Sequence, residues 1–218
     1  QRGKRSVVNA AQAVRFEASR FRNFPVTCFT TGTVVTTLKG EVAIEDLEVG
    51  DRVVTRDNGL QTVRRISRRT YDFGQLSQVP HLHPILVSAG ALGKGLPESD
   101  MLVSPNLRIL ETGSAAQAFG AGKDSLKAAK NMVDSRTIRA CSVLGVTYVH
   151  VEFHRHETIL ANGAWVEAFH SADPALGPVG NAQRLEMFEV FPELREPAAS
   201  AMPAPATAYQ AAERHAGH

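Results

Sequence analysis

The side chains able to do chemistry in this sequence are two thiols, a few imidazoles and a run of hydroxyls. Cys28 heads the stretch CFTTGTVVTTLKGEVAIEDLEVGDRVVT, residues 28–55. A cysteine directly ahead of a β-rich ribbon is a candidate nucleophile, with the thiolate as its attacking form. A buried, inert thiol is the plain alternative. Cys141 lies in an apolar run and reads as a core thiol. Two cysteines form at most one bridge, so there is no disulfide framework. His81-Leu82-His83 sets two imidazoles on one face of an extended segment, which makes zinc the third and weakest reading, because no Cys or carboxylate at ligand spacing joins them. Arg64, Arg65, Arg68 and Arg69 would suit a phosphate patch, but they fit better as the solvated face and protected edge of a β-ribbon.

The elements that must position these groups are mostly strands. Val34 and Val35 among threonines favour extended chain, Gly40 breaks the run, and Glu41 to Ile44 resumes it. Gly50-Asp51 turns the chain into Arg52 to Thr55. Arg56-Asp57-Asn58-Gly59 is a hairpin signal, with Asn-Gly suited to a type I′ turn, and Leu60 to Arg69 is the outgoing strand. Pro84 to Val87 and Met101 to Val103 read as short strands around a Gly-rich loop, 90–98. Asp124 to Val133 reads as a short helix with Leu126, Ala129 and Val133 on one face. Thr147 to Phe153 alternates as a strand, with Tyr148, His150 and Glu152 on one side. Asn181 to Phe191 reads as a helix stopped by Pro192.

Cys28, Gly32-Thr33, Gly40, Ile44 to Leu47, Gly50-Asp51, Val53 and Thr55 together resemble the opening block of a Hint domain. This is the module shared by inteins and the autoprocessing part of hedgehog proteins, and the likeness is nearest to the bacterial hedgehog/intein type. The Ala161-Asn162-Gly163 turn and its flanks resemble the closing block. The resemblance implies a mostly β, disc- or horseshoe-like fold with a few short helices. It also implies an N-to-S acyl shift, in which the Cys28 thiol attacks the Thr27 carbonyl, giving a thioester and N-terminal cleavage. On the same resemblance, Ser104 takes the hydroxyl position near the scissile Thr27-Cys28 peptide, His156 matches the histidine of the closing block, and Glu157 is its neighbouring candidate. Leu107 stands where the family carries a histidine, so the reaction is expected to be impaired. Glu167-Ala168 stands where splicing inteins carry His-Asn, so splicing is not expected. The alternative is a catalytically degenerate Hint domain serving as a structural or interaction module. No cofactor and no metal are implied. The substrate is the chain's own N-terminal segment, and the external nucleophile is left open between water and an alcohol.

Composition fits this reading. The chain has 218 residues, 43% hydrophobic and 21% charged, with a net charge of +2, which is ordinary globular material. Residues 1–24 are basic, with a weak helical pattern between Asn9 and Phe21, and read as a solvated segment leading into the domain; no nucleic-acid motif accompanies them. Residues 25–172 are expected to form the Hint domain, 173–195 a helical extension and 196–218 a Pro/Ala-rich disordered tail. No apolar run reaches membrane-spanning length, and no apolar segment follows the basic start as a leader would require. Location is therefore open between bacterial cytoplasm and secretion.

Overall fold

The structure is a computed structural model, and it describes residues 27–111, 125–168, 170, 187–188 and 190–195. The expected N-terminal helix, the Pro/Ala-rich tail and the first half of the expected helix at 181–191 lie outside these residues. In chain order the strands are β1 (Phe29–Thr30), β2 (Val34–Thr37), β3 (Gly40–Ala43), β4 (Arg52–Thr55), β5 (Gly59–Thr62) and β6 (Arg65–Asp72). A helix, α1 (Phe73–Gln78), follows. Next come β7 (Ile85–Val87), β8 (Met101–Val103), β9 (Arg108–Glu111), β10 (Ser125–Ala128), β11 (Ile138–Ala140), β12 (Gly145–Glu152), β13 (Glu157–Ala161) and β14 (Ala164–Ala168). Short 3-10 turns at Ile44–Asp46, Pro80–Leu82, Ala129–Asn131 and Pro192–Arg195 complete the described chain.

Among the described residues the strands make two antiparallel sheets. One has six strands, in the order β11-β7-β8-β1-β12-β6; the other has eight, β10-β9-β14-β13-β2-β4-β5 with β3 on the side of β2. The fold is mostly β, as expected. The six-stranded sheet is covered on both faces. Phe29, Val103, Val149 and Val151 point into the main core, which they share with Val35, Val53, Ile109, Ile159 and Val166 of the other sheet. Residues of opposite parity, Cys28, Tyr71, Val146 and Tyr148, point into a second cluster with Leu76, Val79, Leu82, Met187, Val190, Phe191 and Leu194. A strand buried on both sides loses the apolar-in, polar-out alternation, and β12 is buried at every residue from Tyr148 to Glu152.

Several local expectations are corrected. The segment 124–133 is not a helix. Ser125 to Ala128 forms β10, paired with β9 from Ser125↔Glu111 to Ala128↔Arg108, and only a 3-10 turn follows. Its helical spacing was overridden by the open edge of β9, which supplies backbone partners for all four residues. The outgoing strand 60–69 is two strands, because the chain leaves one sheet at Val63-Arg64 and joins the other as β6. The β4–β5 loop is not type I′. Thr55 pairs with Gly59, and positive φ occurs at Gly59 but not at Asn58. A two-residue hairpin turn with both φ values positive does occur at Asn162-Gly163, at +46° and +74°, between β13 and β14. Helix α1, absent from the sequence reading, is closed by a reciprocal capping box. The Asp72 carboxylate accepts from the Gln75 N–H at 2.8 Å, and the Gln75 side chain accepts from the Asp72 N–H at 3.0 Å. Cys141 is half-buried rather than a core thiol.

Arg65 departs from the expected solvated face, lying 3.6 Å from the buried Glu152 carboxylate and donating to the Glu193 carbonyl at 3.1 Å, whereas Arg68 works at the sheet edge. β6 is the last strand of its sheet, and Arg68 donates to the carbonyls of Glu45 and Leu47 at 3.0 and 3.2 Å, pinning the 3-10 turn beside it.

Asn162 ties the two blocks of the sequence together. Its side-chain oxygen accepts from the Val34 N–H at 2.7 Å, its amide nitrogen donates to Ser99 Oγ at 2.8 Å, and its own N–H donates to the Val34 carbonyl at 2.8 Å. Replacing Asn162 by Ala removes two hydrogen bonds and strains the left-handed backbone, an expected loss of about 2–4 kcal/mol. Asn162→Gly, which relieves the strain but not the lost bonds, should recover about 1 kcal/mol of it. Urea unfolding of the two variants beside the parent checks both values.

Candidate functional site

The centre of the site is a peptide bond held by one serine. Cys28 enters β1 between β8 and β12. An ordinary antiparallel ladder would give its N–H a carbonyl on β8. Here Ser104-Pro105-Asn106-Leu107 forms a turn in which the Ser104 carbonyl accepts from the Leu107 N–H at 3.1 Å, with proline at the position that favours it. The carbonyl is diverted, and the hydroxyl takes its place. Cys28 N–H donates to Ser104 Oγ at 2.7 Å, while Ser104 N–H donates to the Cys28 carbonyl at 3.1 Å. Ser104 and Cys28 are fully buried, and Thr27 nearly so. The nitrogen of the Thr27-Cys28 peptide is thus tied to a hydroxyl that is itself a proton donor. The Thr27 hydroxyl is buried and has no hydrogen-bond partner among the described residues.

The thiol lies in the second cluster. Burial pushes Cys28 well above the ordinary thiol range. Burial also raises Tyr148 and Tyr71, and the nearby Cys28 sulfur adds to both effects. The two tyrosine rings meet edge to face at 6.2 Å, and the Tyr148 hydroxyl donates to the Leu82 carbonyl at 2.5 Å. Phe191 and Leu194, from the segment expected to extend beyond the domain, pack into this same cluster. The resting state is therefore a neutral thiol in an apolar environment.

The other expected site residues have partners of their own. His156 Nε2 is 3.0 Å from Glu167 Oε1, and Glu167, almost fully buried, also receives Arg108 Nη1 at 3.2 Å. Glu157 is buried and accepts from Asn58 Nδ2 at 2.9 and 3.1 Å, so its carboxylate fastens the β4–β5 loop. Leu107 is fully buried in the main core, whereas Cys28 belongs to the second cluster. The structure thus brings together Thr27, Cys28 and Ser104, and gives Glu157 a structural task. The tyrosine pair and the 187–194 segment around the thiol were missed in sequence. Only the alternation of β12 signalled Tyr148. Among the described residues, no three His, Cys, Asp or Glu side chains are grouped to hold a metal, and no helix is long and apolar enough to cross a membrane.

A thiol or phenol raised by burial stabilises the fold fully below its unfolded value, and that contribution is lost as pH climbs toward the folded value. Free thiols titrate near ~8.5 and free tyrosines near ~10. Stability is therefore expected to fall from about pH 8.5 upward, at up to about 1.4 kcal/mol per pH unit per group. Cys28→Ala should flatten the first part of that fall, and the variant's unfolding midpoint from pH 7 to 10.5 is the measurement.

The sequence profile of the Hint domain matches residues 27–173. Among solved structures, the chain is similar to a glutathione-linked, splice-inactive variant of the AceL NrdHF class 3 split intein, at 16% identity and a TM-score of 0.42, covering 66% of this chain and 99% of that one. It is similar to a DnaB intein from Synechocystis, at 11% identity and a TM-score of 0.41, covering 66% and 99%. It is also similar to a bacterial intein-like domain from Clostridium thermocellum, at 13% identity and a TM-score of 0.38, again covering 66% and 99%. No curated protein matches the chain in sequence. With two thirds of its length inside the profile, the chain belongs to the Hint domain family.

Proposed function

We propose that this protein is a self-processing module that rearranges its own Thr27-Cys28 peptide. The Cys28 thiol gives up its proton, Sγ bonds to the Thr27 carbonyl carbon, and the C–N bond to Cys28 breaks. The Cys28 nitrogen takes up a proton and becomes a free amine, leaving a thioester between Thr27 and the sulfur. An external nucleophile then releases the segment that ends at Thr27. The observation that carries this reading is the 2.7 Å hydrogen bond between the Cys28 N–H and Ser104 Oγ. It holds the future leaving nitrogen 2.7 Å from a hydroxyl that accepts its N–H now and can turn to donate a proton as the C–N bond breaks. Ala168, with no side-chain nucleophile, ends the sequence of events before splicing.

Leu107 argues for a slow reaction. It supplies no proton and packs in the main core. General acid–base help is worth about 10²–10⁴ in rate, so losing one imidazole costs on that order. A second reading, a degenerate module that binds or stiffens, draws on the same leucine and on the full burial of the thiol.

Intact mass of the purified chain with and without dithiothreitol or hydroxylamine separates the two readings. A thiol-dependent fragment ending at Thr27, absent in Cys28→Ala, supports acyl shift; no such fragment under any nucleophile supports the degenerate module. Ser104→Ala is expected to slow release by at least about tenfold, as loss of one proton-handling group implies. Leu107→His is expected to raise Cys28-dependent release by at least about tenfold. It should also cost about 2–4 kcal/mol of stability, since a polar ring replaces a fully buried aliphatic side chain. Equal release from the parent and from Leu107→His would show that residue 107 is not the missing acid–base group. In a fusion with sequences at both ends, mass spectrometry should find no ligated flanks.

A further inference from the structure

A surface cleft lies where the chain leaves one sheet for the other at Val63-Arg64. Its volume is about 380 Å³, inside the range of about 300–1,000 Å³ that small-ligand pockets occupy. Four stretches of chain wall it. Arg52 comes from β4, Leu60 and Thr62 from β5, Arg64 from the crossing, and His154-Arg155 from the turn between β12 and β13. Arg52 and Thr62 are cross-strand partners, so their side chains rise on one face, with Leu60 two residues along it. That face is turned from the core, since Val53 and Thr55 are buried and Arg52 is exposed. The Val63 N–H donates to the Asp51 carbonyl at 2.9 Å, and the Arg64 N–H donates to the Glu152 carbonyl at 2.8 Å. These bonds anchor the crossing to β12 and hold the cleft's walls in place.

The lining is cationic and includes no carboxylate. Three guanidinium groups and one imidazole share it, all on exposed residues. Arg155 Nε lies 3.9 Å from Glu157 Oε1, but that carboxylate is already held by Asn58 Nδ2 at 2.9 and 3.1 Å. Among the described residues, neither Arg52 nor Arg64 meets a carboxylate at ion-pair distance. The run of arginines at 64–69 is thus divided by the fold. Arg65 turns to Glu152 and Arg68 to the neighbouring 3-10 turn, while Arg64 joins Arg52 and Arg155. Gathered cations without counter-charges repel one another, and a multivalent anion relieves that repulsion. Planar guanidinium forks match the paired oxygens of a phosphoryl group. At about 30 Å³ for each water-sized group, the cleft exceeds the five heavy atoms of orthophosphate and suits the nine of a diphosphate.

We infer that this cleft binds a diphosphate group, free or as the head of a small organic molecule. Arg52, Arg64 and Arg155 hold the phosphoryl oxygens, and the Thr62 hydroxyl and the His154 ring stand beside them as further donors. None of these residues belongs to the Thr27-Cys28-Ser104 site, so the inference holds under either reading of that site.

Calorimetric titration of the full chain with inorganic pyrophosphate, at about physiological ionic strength, tests this. Saturable binding at one site is expected, with a Kd below about 1 mM. Arg52→Ala and Arg155→Ala should each keep the parent's unfolding midpoint and weaken binding by about tenfold or more, as loss of a charge-assisted bond implies. Arg139→Ala removes the same charge from an exposed position on β11, in the other sheet. It should leave the affinity within about twofold. Absence of saturable binding overturns the site. Equal weakening by Arg139→Ala also overturns it, because net charge alone would then be the attraction. Orthophosphate bound as tightly as pyrophosphate overturns the diphosphate assignment. A short DNA duplex that binds more tightly, and loses that binding in the same two variants, overturns the small-molecule assignment. Adenosine diphosphate and geranyl diphosphate tell the two sources apart. Tighter binding of either ester supports an organic diphosphate with Leu60 against the group it carries, and tighter binding of pyrophosphate supports the free anion.

Discussion

Much of this structure hangs on where one carbonyl goes. A strand that ended plainly at Val103 would leave the Cys28 N–H facing a backbone acceptor with no chemistry in it. The Ser104-Pro105 turn spends the Ser104 carbonyl on Leu107 instead, and the vacancy in the ladder is filled by a hydroxyl at 2.7 Å. A buried N–H left without that hydroxyl would cost about 1–3 kcal/mol. The same group therefore holds the fold together and puts a proton donor beside the peptide nitrogen. Proline fixes the turn and the serine exploits it, so neither residue is a free choice once Cys28 occupies the facing position.

The second constraint is that the six-stranded sheet is covered twice. Parity along β1 and β12 sends Phe29, Val149 and Val151 to one core and Cys28 and Tyr148 to the other. A shift of one residue in that register would exchange the two sets, exposing neither but placing the thiol among the main-core side chains. The 187–194 segment closes the second cluster. It keeps water from the sulfur, raises the energy of the thiolate, and strengthens every dipole aimed at the Thr27-Cys28 peptide.

How much of this was legible follows the range of the forces involved. The fold class was readable because its signals are local: the glycine spacing of the opening block, the Asn162-Gly163 turn, the β-branched runs. Cys28 and Ser104 were placed together by resemblance, yet the diverted carbonyl that joins them is a tertiary fact with no sequence signature beyond Ser-Pro. The failures have physical causes. Ser125 to Ala128 carries good helix formers, but its propensity is worth only tenths of a kcal/mol per residue, less than four backbone partners on the edge of β9. The strand 60–69 was read as continuous because a change of sheet at Val63-Arg64 leaves composition unaltered. Helix α1 did have a signal, Asp72 followed three residues later by Gln75, which went unread among strand-like neighbours. Glu157 looked chemical because it adjoins His156; strand alternation sends the two side chains to different partners.

Position 107 shows why holding a peptide and moving its proton are separable tasks. Holding requires a group at fixed distance from the nitrogen, and Ser104 meets that through the backbone turn, whatever side chain stands at 107. Moving a proton requires an ionisable group that reaches the sulfur, and that group can approach from any side on which the strands leave room. Leucine at 107 adds apolar volume to the main core, where a fully buried imidazole would need partners of its own. An apolar side chain at 107 fills that space without needing any such partner.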